Sequence, residues 1–152
     1  MPIKQTTPRK ALQGYIDRRV DYIMSLVVNN LCRAGEEIII HARDPNRQRY
    51  TDQTGNLTSS IGYAVIWDGQ IVVQSDFEPV RGKLGSLGVD GSKQGEKFLQ
   101  QLIKKNGRGI VLIAVAGMPY AAYVEAMGKD VLVSAEIKAN EIVKRLLSKL
   151  KF

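Results

Sequence analysis

From Leu12 onward, apolar residues fall at Leu12, Ile16, Val20, Ile23, Val27, Leu31, Ala34 and Ile38. Spacings of three and four draw a single stripe along a helix. Met24, Leu26 and Val28 widen that stripe in the middle turns, which predicts cover on a second side by a partner subunit. Gly35 weakens the pattern by about 1 kcal/mol of helix propensity, and Ile38, Ile39 and Ile40 also fit a strand start. The helix is kept to about Ala42, either straight or kinked near Gly35. At about 1.5 Å per residue it runs about 45 Å. A compact chain of this size has a radius of gyration of about 15 Å, so the helix spans or overhangs its own domain.

The period then changes. Asp44-Pro45-Asn46 marks a turn, Arg47 to Tyr50 follow, and Thr54-Gly55-Asn56 marks a corner. Ile61 to Trp67 and Gln70 to Phe77 are apolar segments separated by Asp68-Gly69, the two-residue signal of a tight hairpin. Ile61, Tyr63, Val65 and Trp67 share one face and Gly62, Ala64 and Ile66 the other, so both faces of this strand require cover. Gly82, Gly85, Gly88 and Gly91 recur every third residue, followed by Gly95, and residues 78–95 read as a mobile surface loop. Phe98, Leu99, Leu102 and Ile103 mark a short helix over residues 95–106, closed by Asn106-Gly107. Ile110 to Ala116 mark a buried strand, Pro119 opens a short helix closed by Gly128, and Ile137, Val143, Leu146, Leu147 and Leu150 mark a C-terminal helix. The predicted class is α+β: a long N-terminal helix, then a small sheet made of an antiparallel hairpin and one further strand, packed by short and C-terminal helices.

With 152 residues, 44% of them apolar, the chain can bury one core without metal or disulfide staples. Residues 1–10 carry two prolines and no periodicity and read as a flexible arm, which leaves residues 11–152 as a single domain. Cys32 is the single cysteine, no secretory leader is recognisable, and the longest apolar runs are far short of a membrane span. These features point to folding in a reducing cytoplasm, with no membrane partner.

The formal charge of +7 permits contact with nucleic acid or with an acidic protein face. Basic residues gather in three clusters: Lys4 to Arg19, Arg43 to Arg49, and Lys138 to Lys151. Few aromatics interleave with them, so no stacking platform for single strands is built, and they read first as solvated faces with DNA contact second. Catalytic and metal chemistry finds little footing. His41 is the only histidine, Cys32 has no CxxC partner, and no nucleophile motif accompanies either. Gly91-Ser92-Lys93 lacks the spacing of a phosphate-binding loop. The adjacent Glu36 and Glu37 point about 100° apart on a helix and cannot act as an acid and base pair. No catalytic residue, cofactor or metal ligand is assigned.

Two segments are more specific. Thr54-Gly55-Asn56-Leu57-Thr58-Ser59-Ser60-Ile61 and Pro119-Tyr120-Ala121-Ala122-Tyr123-Val124-Glu125-Ala126-Met127-Gly128 resemble the two signatures of the tail-completion, or neck, proteins of long-tailed bacteriophages and prophages. The resemblance implies a virion structural protein with no enzymatic activity, present in the host bacterial cytoplasm during assembly. It further implies a ring, of six copies in the particle, that joins head to tail, contacts head-connector and tail-tube proteins, and passes DNA through its lumen. The positions that carry it are Thr54, Gly55, Asn56, Leu57, Ser60, Ile61, Tyr120, Ala121, Tyr123, Val124, Glu125 and Gly128, each either holding the fold or meeting a neighbour. The arm and the glycine-rich loop are expected to order only on docking. The rival reading is a sequence-independent DNA-binding protein, which the charge alone would support.

Overall fold

The computed structural model describes residues 4, 6–47 and 50–150. Of the anticipated arm, Met1 to Ile3 and Gln5 lie outside the described residues, as do Gln48, Arg49, Lys151 and Phe152. The fold is α+β. Helix α1 spans Arg9–Arg43, so Arg9 and Lys10, read above as arm, are helical. The Pro8 carbonyl accepts the amides of Ala11 and Leu12, and a proline just before the first turn costs no helical hydrogen bond. At 35 residues α1 is about 52 Å long. It runs unbroken through Gly35, because the ring of Tyr63 occupies the space where a Cβ would stand.

One helical turn, α2 (Asn56–Ser59), feeds the central strand β1 (Ile61–Trp67). The hairpin closes through Asp68 (φ 48°) and Gly69 (φ 81°), the left-handed pair a two-residue turn demands. Strand β2 is Gln70–Gln74, shorter than the predicted run to Phe77. Register slips between the pairs Val65↔Val73 and Ile66↔Ile71, leaving Val72 as a bulge. Beyond Gln74, Ser75 Oγ accepts the Tyr63 amide at 2.9 Å. The chain then leaves the sheet so that the ring of Phe77 lies under Gly62 and Gly95. Strand β3 (Ile110–Ala116) pairs antiparallel with β1 along its whole length, from Ile61↔Ala116 to Trp67↔Ile110, giving sheet order β2-β1-β3.

Each face of β1 receives a layer. Ile61, Tyr63 and Val65 face Ile38, Ile39 and Ala42 of α1, while Ala64 and Ile66 face Leu99 and Ile103 of α3 (Val89–Lys105). The alternation in the strand thus meets two separate helical surfaces. Helix α5 (Val133–Ser148) runs antiparallel to the inner half of α1, with Ile142 and Leu146 against Ala34 and Arg145 3.7 Å from Glu37. Short α4 (Ala121–Ala126) links β3 to α5. The outer half of α1 extends past all of this, leaving Leu12, Tyr15, Ile16, Val20 and Tyr22 exposed.

The glycine-rich segment differs most from its reading as a loop. Val89 to Gly95 are the first two turns of α3, so that helix begins six residues before the predicted 95. Gly91 and Gly95 are buried there because a Cβ at Gly91 would strike the backbone of Asn56, and one at Gly95 would meet the Ser60 carbonyl and the Phe77 ring. Glycines that read along the chain as a mobile loop are here a device for close helix approach. No helix among the described residues is long and apolar enough to cross a membrane.

Candidate functional site

The first motif is a hub of short polar side chains. Gly55 takes φ +79°, where the Val80 carbonyl and the Gly82 amide leave no room for a Cβ. Asn56 Oδ1 accepts the Gly91 amide at 3.0 Å, and Thr54 Oγ1 accepts the Asn56 amide at 3.3 Å. Leu57 and Ile61, four residues apart, are both buried in the α1 side of the core. Ser59 Oγ donates to the Gly55 carbonyl and accepts the Val80 amide at 2.7 Å. Ser60 Oγ donates to the Leu57 carbonyl and accepts the Met118 amide at 3.3 Å, while the Ser60 carbonyl takes the Gly117 amide at 3.0 Å. Seven residues thereby tie together the start of β1, the exit of β3 and the 78–95 segment. Two members of this hub were not singled out from sequence. Asp52 Oδ2 accepts the Thr58 amide at 2.8 Å, and the wholly buried Ser59 bridges two chain segments. A Thr-Ser-Ser run just before a buried strand was the available signal.

The second motif divides by side chain. Ala121 is buried and Val124 half-buried against the α1-side core, and Gly128 turns the chain with φ +74°. Glu125 is a capping carboxylate. Its Oε2 accepts the amides of Val131 at 3.0 Å and Leu132 at 2.9 Å, and its Oε1 accepts that of Val133 at 3.3 Å. These are orphan donors at the entry to α5, where a negative charge also meets the positive end of the helix dipole. Tyr120, Tyr123 and Met127 lie on the outer side of α4 and are 40%, 67% and 54% exposed.

Antiparallel pairing of Ile61 with Ala116 brings the motifs to one end of the sheet. The Tyr120 side chain lies beside that of Thr54. Burial, reinforced by the Asp52 carboxylate, holds the Tyr120 hydroxyl above its ordinary pKa. Beside them is a cleft of about 390 Å³ lined by Arg43, Tyr50, Asp52, Thr58, Arg81 and Lys83, among others. Burial pushes the Tyr50 hydroxyl there up to about 12, with Thr58 Oγ1 at 3.3 Å as its hydrogen-bond partner. On the other side, Val133 and Ile137 of α5 are exposed next to Glu125 and Asp130. The arrangement offers amphipathic tyrosine surface on a rigid base, the chemistry of protein contact.

His41 lies 2.9 Å by Nε2 from Ser134 Oγ, a serine and histidine pair in outline. Its Nδ1 is buried without a hydrogen-bond partner, so no third group orients the ring or stabilises an imidazolium. Burial, Lys138 and Arg47 hold its pKa below the ordinary value, against the opposing pull of Asp130 and Asp44. The pair ties the end of α1 to the start of α5. No group of three or more His, Cys, Asp or Glu side chains placed to hold a metal occurs among the described residues.

No protein-family profile matches the chain, and no curated protein or solved structure matches it either.

Proposed function

We propose that the chain is a virion structural protein of a tailed phage or prophage, a ring-forming component that completes the junction of head and tail. The observation that carries this reading is the meeting of the two motifs. Thr54 and Tyr120 stand more than 60 residues apart in sequence, yet Ile61 at the end of the first motif pairs with Ala116, Ser60 Oγ accepts the Met118 amide just before the second, and Tyr120 lies beside Thr54. Gly55, Ser59, Ser60 and Ala121 are buried and Glu125 is taken up by the amides at the start of α5, while Tyr120 and Tyr123 are left exposed. A second support is the outer half of α1, a helix of several turns whose apolar stripe has no cover among the described residues. Helices draw most of their stability from packing on such a face, so this one fits a subunit finished by its neighbours.

Light scattering coupled to size exclusion, over a concentration series with and without head-connector or tail-tube protein, tests the reading. Rings, or assembly driven by either partner, are the expected outcome. A chain that ignores both partners and instead binds duplex DNA, with affinity falling steeply as salt rises, overturns it in favour of sequence-independent DNA binding. That rival draws on Arg43, Arg81 and Lys83 around the cleft.

A further inference from the structure

Strand β3 is an edge, and its neighbours set which of its backbone groups face outward. Gly117 donates to the Ser60 carbonyl and Asp68 donates to the Gly109 carbonyl, both continuing the β1–β3 ladder. Counting in twos between them, Val111, Ile113 and Val115 bond inward to β1, and the amides and carbonyls of Ile110, Leu112, Ala114 and Ala116 point away. No loop or helix among the described residues takes up those outward groups.

Natural sheets blunt such an edge with charge, proline, a bulge or a covering segment. The opposite edge, β2, is blunted by its bulge at Val72. β3 reads Ile-Val-Leu-Ile-Ala-Val-Ala, without charge or proline, and keeps one register across all seven pairs. Two mainly apolar grooves adjoin it, each with one carboxylate in its lining, Glu136 in one and Glu125 in the other. One runs beneath Ile38, Ala135 and Ala139, the other between Phe98 and Ala122, and Ala114 and Leu132 line both. Ala114 is exposed although Ile113 and Val115 beside it are buried.

We propose that a second copy of this chain docks here, adding its own β3 antiparallel about a two-fold axis at Ile113. The occupant follows from the strand's own sequence. With the axis at Ile113, Ile110 opposes Ala116 and Leu112 opposes Ala114, so a large side chain meets a small one in every outward pair. Opposed residues share a face, and Leu112 of the second copy enters the groove around Ala114. Moving the axis to Leu112 or Ala114 sets leucine on leucine or alanine on alanine and loses that fit. All outward amides and carbonyls of both strands then pair, and two three-stranded sheets become one. The inference does not rest on the head-and-tail reading. A two-fold pair is closed, whereas a ring needs a head-to-tail contact, so the two assemblies differ in size.

The test uses the full chain in two measurements. Light scattering across a concentration series should show one copy giving way to two. Residue-resolved amide exchange should show Leu112 and Ala114 slowing as the pair forms. Ala114→Pro and Ala114→Lys should each return the chain to one copy, since both act on the outward side of β3 and leave the β1 ladder intact. A chain that stays single at every concentration overturns the proposal. So does a free species larger than a pair, an oligomer of any size in which the Leu112 and Ala114 amides stay unprotected, or a pair that persists in Ala114→Lys. The exchange result on the unaltered chain decides the matter even if a variant fails to fold.

Discussion

Gly14 and Gly35 lie on the same helix and face opposite demands. Nothing stands within 4 Å of a Cβ built on Gly14, so Gly14→Ala should raise stability by up to about 1 kcal/mol through helix propensity. At Gly35 the same methyl group enters the ring of Tyr63, whose hydroxyl is held by Glu36 at 2.5 Å. Overpacking there costs about 1–3 kcal/mol and outweighs the propensity gain, so Gly35→Ala should lower the urea midpoint. Glu125→Ala should cost about 1–2 kcal/mol by stranding three amides at the start of α5. Unchanged thermal stability in that variant would return the carboxylate to a role in partner contact. His41 supplies a pH dependence. Its folded pKa lies below that of the unfolded imidazole, about 6.5, so below that pH the unfolded chain binds more protons. Stability should therefore decline as pH falls through 6.5 and below, and His41→Asn should flatten the slope measured by denaturation at several pH values.

Among the elements, α1 shows the limit of periodicity as a guide. Its stripe repeats every eleven residues, from Leu12 to Ile23 to Ala34, and holds one direction along the helix. The inner half of that stripe is buried by β1 and α5 while the outer half meets solvent, and the pattern is the same in both. Amides from about residue 9 to residue 24 should accordingly exchange faster in the free chain than those of residues 28–43, as local opening follows the loss of packed contacts. The glycine-rich segment teaches the converse. Its composition reads as mobile, yet Gly88, Gly91 and Gly95 are buried against α2 and the start of β1. A glycine has the same weak propensity whether it is free or pressed against another backbone, so only the surface opposite distinguishes the two.

At the scale of the whole molecule, the two motifs form a base that is satisfied internally and a rim that is not. Tyr123, 67% exposed on α4, belongs to the rim. Tyr123→Ala should leave stability within about 0.5 kcal/mol and, on the head-and-tail reading proposed above, weaken binding to a head-connector or tail-tube protein, measured by titration against each. Equal loss of stability and binding would move Tyr123 into the base. The sheet adds a second asymmetry, since one edge is interrupted by a bulge and the other is regular throughout.

The order and type of the elements were legible in the residues, because each rests on near neighbours: the three-and-four stripe of α1, the alternation of β1, the Asp68-Gly69 turn, the caps around α4. The two faces of β1 were legible too, since alternate side chains must point apart. What only the tertiary structure decided depends on groups distant in sequence and close in space. The pressing of Gly91 on Asn56, the use of Glu125 by α5, the contact of Tyr120 with Thr54 and the open side of β3 are all of that kind. Local pattern encodes which face a residue shows; what stands opposite that face is set only when the chain closes on itself.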